Sequence, residues 1–305
     1  MQTLTFPILA ELVELKAKAA SIFPFALGAA YALYTYHQIS PLPLILYFIA
    51  MFLFNCFVDT WDNWNDYHHA LDTADYQRNT NIIGRESLSI PQIRVLLIFL
   101  FGTSLILGLI TAALVGWPVF LLGLLCYLVG IFYSWGPKPL SSLPVGEIAS
   151  GLTMGYLIFL MSVYINAHTT FSWNASTLGK TFLVALPSVL LISNLMLANN
   201  TCDLDEDEAN ARFTIVHYIG RPSALTWWLS ALIAAFTLTC LAVALHLLPA
   251  TCLAILLLIP WTVHQARPYL KKQVKRETFR HSVNILMFFQ FALTLLFYIG
   301  LLLPH

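Results

Sequence analysis

Apolar runs long enough to cross about 30 Å of hydrocarbon as helices recur along almost the whole chain, separated by short polar segments. They fall at 19–36, 42–58, 95–115, 118–134, 148–165, 182–198, 225–246, 249–263 and 283–303, which predicts nine transmembrane helices. Little sequence remains between them for a soluble domain, so the expectation is a single polytopic all-α membrane domain over 1–305. The first run follows Glu11, Glu14, Lys16 and Lys18, lacks a small-residue cleavage site and is as long as later runs. It therefore reads as a helix and not as a signal peptide.

Composition agrees: 59% of the 305 residues are hydrophobic and 10% charged, far more apolar than a water-soluble domain requires. Cys56, Cys126, Cys240 and Cys252 lie in or beside apolar runs, Cys202 stands in an acidic segment, and no CxxC spacing occurs, so neither disulfides nor zinc is indicated. Threading nine helices puts all of the 15 Lys and Arg except Lys180 on the face that carries the N-terminus. By the positive-inside rule that face is cytoplasmic, in a cell membrane of the bacterial inner-membrane type, with the C-terminus outside. One span more or fewer would scatter these charges over both faces.

The acids cluster at the same face, although they contribute little to orientation. The second run leads into Asn55, Asp59, Asp62 and Asp66, followed by Asp72 and Asp75; the sixth leads into Asn199, Asp203 and Asp207, with Asp205, Glu206 and Glu208 interleaved. Steps of three and four place each set on one helix face. Like charges so arranged at a membrane boundary repel and lose hydration, which is unfavourable unless a cation or protons compensate them. Carboxylates with few competing nitrogen ligands suit a hard ion such as Mg2+, which takes one or two carboxylates together with phosphate oxygens and water. The plainer reading is a pair of solvated helix ends; their recurrence at one face favours a diphosphate clamp. Each stripe is followed by Ile-Gly-Arg-x-Ser, at 83–87 and 219–223, which makes Arg85 and Arg221 candidate phosphate ligands, although each could equally mark a cytoplasmic helix end.

These residues resemble the UbiA family of intramembrane aromatic prenyltransferases, and within it the 1,4-dihydroxy-2-naphthoate branch. Asp62-Asn63-Trp64-Asn65-Asp66 with Asp72 is similar to the first family motif, and Asn199-Asn200-Thr201-Cys202-Asp203-Leu204-Asp205-Glu206-Asp207 to the second. Asn210-Ala211-Arg212-Phe213-Thr214, the loop from Tyr133 through Lys138 to Leu140 with Gly146-Glu147, and Lys16-Ala17-Lys18-Ala19 resemble further family elements. The chain departs from the pattern at Asp62, at His68-His69 and at Cys202.

The resemblance implies nine helices around a central cavity that opens to lipid, with a cytoplasmic cap after helices two and six. It implies Mg2+ on Asp62, Asp66, Asp72, Asp203 and Asp207, and a polyprenyl diphosphate held by Asn63, Asn199, Arg85, Arg212 and Arg221. The aromatic acceptor would lie near Lys16, Lys18, Lys138 and Tyr133, the alternative for the lysines being topology signals at cytoplasmic helix ends, and its prenylation with loss of CO2 would give demethylmenaquinone. Trp61, Trp64, Tyr67, Tyr133 and Trp135 lie near the acidic ends, where an aromatic face could stabilise an allylic cation, and Tyr67 is chosen for that role; the alternative for each is an interfacial belt position. His68, His69 and His217 could relay a proton or be solvated loop residues. The Lys271–Arg280 cluster is assigned to anionic lipid head groups. Membrane lipid is the remaining partner, and nothing calls for nucleic acid or an obligate protein partner. Competing readings are a prenyltransferase for another aromatic acceptor such as 4-hydroxybenzoate, a membrane cation carrier, and a structural protein. Against a carrier, no acid falls in the outer half of any predicted span.

Overall fold

The computed structural model describes residues 4–69 and 81–303. Every regular element among them is helical: α1 (Phe6–Leu12), α2 (Ala19–Tyr36), α3 (Pro41–His69), α4 (Ile82–Arg85), α5 (Ile90–Val115), α6 (Trp117–Ser134), α7 (Gly146–Ser150), α8 (Ile158–Ala167), α9 (Ala175–Ala209), α10 (Ile215–Ala244), α11 (Ile259–Lys271) and α12 (Phe279–Leu302). A π-helical stretch, Gly151–Leu157, joins α7 to α8, and the 3-10 stretch Ala250–Leu258 leads into α11. Among the described residues, seven segments are long and apolar enough to cross a membrane: α3, α5, α6, the run Gly146–Ala167, α9, α10 and α12.

Nine crossings were expected. The two segments that are not among the seven are nonetheless helical. The 18-residue α2 interrupts its apolar residues with Ser21, Pro24, Thr35 and three tyrosines, and much of its small-residue face is buried. The run expected at 249–263 is divided between the 3-10 stretch and α11.

The described chain divides into two compact units, residues 1–19 with 42–142 and residues 20–41 with 143–305. In the first, α3 lays Cys56 and Phe57 against Leu12 and Val13, Ile82 and Ile83 of α4, and Ile93 and Leu97 of α5. Asn81 caps α4 by accepting from the Ile83 amide at 2.9 Å, while its own amide donates to the Asn63 carbonyl at 2.9 Å and pins α4 to α3. Gly116 (φ +109) both ends α5 and starts α6, a backbone shape that a side chain would oppose.

In the second unit, α9 is the axis. Asn174 caps its start by accepting from Thr177 N at 2.9 Å. Gly151 and Gly155 face it so closely that a Cβ on Gly155 would lie 2.7 Å from the Val189 backbone. This is the small-xxx-small device by which membrane helices approach one another without a hydrophobic driving force. The approach sets Glu147, one turn earlier, against α9. Gly220 (φ +74), just before Pro222, breaks α10 near its start.

Both motif-bearing helices run past their apolar parts. At about 1.5 Å per residue, the 29 residues of α3 reach roughly 44 Å and the 35 of α9 roughly 52 Å. Both exceed the approximate 30 Å of hydrocarbon, so the acids ride on continuous helix beyond it.

Candidate functional site

In the first unit, α3 presents two opposed faces. At about 100° per residue, Asn55, Asp59, Asp62 and Asp66 line one side, and Phe57, Trp61 and Trp64 the other. Phe57 belongs to the buried cluster, and Trp61, Trp64 and Tyr67 pack against it. Trp61 stacks on Phe57 with ring centres 5.9 Å apart, and Trp64 lies 4.3 Å from His68. Tyr67, chosen for cation stabilisation, thus sits at the packed side of α3 and not on the acidic stripe.

One lysine reaches that stripe. Glu14 in the left-handed conformation (φ 46) turns the chain between α1 and the 3-10 turn Leu15–Lys18. That turn drives Lys18, only 2% exposed, onto α3. Its ammonium donates to the Asn55 carbonyl at 3.0 Å and pairs with Asp59. Burial pushes its pKa down from 10.5 to about 8, with Cys56 and Glu14 pulling the other way. Because the folded value is depressed, the unfolded chain binds more protons above it, so this group's contribution to stability grows as pH rises from about 8 toward 10.5 and is lost as pH falls back through 8. Lys18→Met should therefore flatten the slope of thermal midpoint against pH between about 8 and 10; an unchanged slope would remove this account of Lys18.

The other first-unit residues separate into three groups. Asn63 spends its amide on the Leu12 and Asp59 carbonyls (3.3 and 3.0 Å). Arg85 pairs with Glu11 at 2.7 Å and Glu86 at 3.1 Å, bonds that push its pKa further up. Lys16 and Lys138 are exposed and Tyr133 is half-buried at the end of α6. Asp72 lies outside the described residues.

In the second unit the α9 stripe is bound by its own neighbours. Lys275, from the loop between α11 and α12, donates to both Asn199 Oδ1 and Asp203 Oδ2. Arg212 Nε stands 3.3 Å from Asp207 Oδ1, and the Arg212 amide donates to the Asp207 carbonyl at 2.8 Å, folding the end of the helix back on itself. Arg221 lies around the helix from the stripe, bonded to Asp205 at 3.0 Å and to the Thr201 carbonyl at 3.3 Å. His217 pairs with Glu208 at 2.8 Å. Beneath the stripe, the buried Glu147 accepts from Asn200 at 2.7 Å through Oε1, and its backbone carbonyl accepts from Ser193 at 2.9 Å.

Lys275 and Glu147 are the site residues that sequence reading missed in those roles. The sequence places Lys275 in a basic cluster assigned to lipid and Glu147 in a loop motif. Their partners lie 76 and 53 positions away, beyond any local spacing signal.

The capacity to hold a cation can be tested on this geometry. Among the described residues no group of three or more His, Cys, Asp or Glu side chains is gathered to hold a metal ion. Asn199 and Asp203 nevertheless converge on one positive centre, the Lys275 ammonium. Their oxygens are the hard donors that Mg2+ prefers, one carboxylate and one amide, the ion's remaining ligands being typically phosphate oxygens and water. The donor set fits.

Comparison with known proteins now adds a family. The profile of the UbiA prenyltransferase family matches residues 21–300. The 1,4-dihydroxy-2-naphthoate octaprenyltransferase of Bacillus subtilis (strain 168) is 29% identical over 224 residues, covering 72% of this chain and 68% of that protein. An apo UbiA homolog from Aeropyrum pernix K1 shares the fold with TM-score 0.69 at 17% identity, over 95% of this chain and 98% of that one. A UbiA homolog from Archaeoglobus fulgidus, bound to GPP and Mg2+, gives TM-score 0.62 at 15% identity over 94% and 99%. With a profile that runs nearly from end to end over a helical, multi-pass membrane chain, the protein belongs to the UbiA prenyltransferase family.

Proposed function

We propose that this chain transfers a polyprenyl group from its diphosphate to 1,4-dihydroxy-2-naphthoate with loss of CO2, giving demethylmenaquinone, and that the reaction requires Mg2+. The observation that carries the reading is the α9 stripe, where Asn199 and Asp203 aim their oxygens at one cation on a helix that outruns the hydrocarbon. The Bacillus relative supports the acceptor. The Archaeoglobus structure with GPP and Mg2+ supports a prenyl diphosphate and the metal.

In this reading Asp62, Asp66 and Asp72 of the first motif and Asp203 and Asp207 of the second are the carboxylates assigned to metal. Mg2+ when bound supplies positive charge against the growing negative charge of the leaving diphosphate. Asn199 and Arg212 are assigned to orient that group, Arg212 already lying against Asp207; Asn63, Arg85 and Arg221, engaged with the Leu12 and Asp59 carbonyls, with Glu11 and Glu86, and with Asp205 and the Thr201 carbonyl, would have to leave those partners to join them. Lys16, Lys138 and Tyr133 are assigned to the acceptor, Lys18 being held under the surface by Asp59; the electron-rich ring carbon of the acceptor attacks the allylic cation and then loses CO2. The prenyl tail lies among apolar helices. We further assign α2 and the 250–271 segment as membrane crossings, giving nine, with the helix ends after α3 and α9 as a cap on the cytoplasmic side of a cell membrane.

The test is direct. Membranes containing the protein, given polyprenyl diphosphate and carboxyl-labelled dihydroxynaphthoate, should release labelled CO2 in step with prenylated quinol, and only with Mg2+. A prenylated product that keeps its carboxyl group would overturn the acceptor assignment, and turnover in excess chelator would overturn the metal.

A further inference from the structure

The α9 stripe is met by a lysine whose position nothing in the stripe itself dictates. Lys275 lies in a loop of seven residues, 272–278, and that loop is built. Thr278, 7% exposed, ties it together. Its hydroxyl accepts from the Val274 amide at 3.0 Å and lies 2.9 Å from the Lys272 carbonyl and 3.1 Å from that of Val274. Lys272 pairs with Glu277 at 3.0 Å across the same turn, and Gln273 donates to the Tyr269 carbonyl at 2.6 Å, anchoring the loop to the end of α11. The knot presents Lys275 to α9, with Phe279 beneath it at 5.0 Å from ammonium to ring centre.

The first unit has a partial parallel. There Lys18, from the turn before α2, reaches the Asn55 backbone carbonyl and the Asp59 carboxylate. In both units a helix aspartate is neutralised by a lysine from the segment that precedes another helix, but only Lys275 also takes an asparagine side-chain oxygen. The two lysines differ in exposure as well: Lys18 is sealed in place at 3% side-chain exposure, whereas the Lys275 side chain is 43% exposed and can swing on its four-carbon stem.

From this geometry we infer that Lys275 is an exchangeable counter-cation and diphosphate-positioning residue: it occupies the Asn199–Asp203 oxygens in the metal-free chain, yields them to the divalent ion, and turns its ammonium to the incoming diphosphate. A divalent ion on that oxygen pair would repel the ammonium beside it. An ammonium displaced by a divalent ion is left beside the anion which that ion recruits, and a lysine acts on phosphate as a point charge that needs no fixed fork geometry. The inference rests on the proposed metal and diphosphate chemistry and deepens it. It places in the site a residue of the basic segment assigned above to lipid head groups.

The experiment uses the full chain in detergent and reads binding apart from turnover. Mn2+ binding without diphosphate is followed by loss of the free-ion EPR signal, and inorganic pyrophosphate binding at saturating Mg2+ by calorimetry. For Lys275→Gln, Mn2+ should bind about threefold to fivefold more tightly, the range that a half-exposed ion pair supports, while pyrophosphate binds at least about tenfold more weakly, as expected for loss of a charged contact. Lys275→Arg should restore much of the pyrophosphate affinity. Thr278→Val, which unties the loop and keeps the lysine, should shift both constants the same way by less. Lys271→Gln, a neighbouring charge at the end of α11, should leave the Mn2+ isotherm as it was.

A Lys275→Gln isotherm equal to wild type overturns the inference, as does a pyrophosphate affinity that Lys275→Gln leaves intact. If Asp203→Asn abolishes Mn2+ binding while Lys275→Gln changes nothing, the metal reading stands and this one falls. Wild-type protein that binds no Mn2+ removes both.

Discussion

Asp66→Ala and Asp207→Ala are each expected to lower prenyl transfer by about a hundredfold or more while leaving a folded protein. Removing one group that stabilises charge in a transition state costs on this scale, because nothing else in a low-dielectric site replaces it. Asp207 is 7% exposed, yet it stands on the last turns of a helix secured elsewhere by capping and close packing, so the loss falls on chemistry before structure. Its pairing with Arg212 at 3.3 Å introduces a second effect, since deleting the carboxylate also releases that arginine. Arg212→Gln separates the two: it should weaken diphosphate binding and retain the metal requirement. Asp205→Ala is the control. Its side chain is 84% exposed and paired with Arg221 around the helix from the stripe, so it should stay within about twofold of wild type, as surface pairs generally allow. Wild-type rates for either Asp66→Ala or Asp207→Ala, measured in membranes at saturating Mg2+, would end the metal assignment for that residue.

How much of this was legible beforehand depends on the range of the interaction. Lipid imposes a simple rule on a spanning segment, apolar residues and internally satisfied backbone, and so each expected run coincides with helix in the structure. The stripes were legible for the same local reason: steps of three and four are properties of one helix, and α3 and α9 continue through Asp66 and Asp207 as that spacing requires. Interruptions were not legible. Gly151–Leu157 is π-helical and Ala250–Leu258 is 3-10, yet both lie within long uncharged runs, so the charge and hydropathy pattern does not mark the change in winding. Side-chain partners were least legible. Lys18, Lys138 and Lys275 look alike in the sequence as cytoplasmic-end lysines; burial of the first, exposure of the second and capture of the third by Asp203 are set by where the chain turns. Tyr67 was chosen because it adjoins Asp66 in sequence, but neighbours on a helix point about 100° apart, and it packs on the apolar side.

Gly155→Leu is expected to prevent the second unit from assembling, at a cost of about 3 kcal/mol or more in stability. The added Cβ would stand 2.7 Å from both the Cα and the N of Val189 and 3.0 Å from its Cγ2. Two of these are backbone atoms of α9 and cannot rotate away, so the helices must separate. In a membrane that separation is not offset by apolar burial, because lipid is as apolar as leucine, and what is lost is packing contact and hydrogen bonds. The bonds at stake are those from Ser193 and Asn200 to Glu147, which join the base of the acidic stripe to α7. Parting the helices would leave a buried carboxylate with fewer donors, an added penalty of the kind that makes half-satisfied polar groups costly. Gly123→Leu supplies the contrast: a Cβ there meets nothing within 4 Å, and in α6 a leucine is the better helix former. Thermal unfolding in detergent should show Gly155→Leu far below wild type or not recoverable as a monodisperse species, Gly155→Ala intermediate, and Gly123→Leu equal to wild type or above it. Equal midpoints for Gly155→Leu and Gly123→Leu would mean that the close approach of Gly155 to α9 does not hold this unit together.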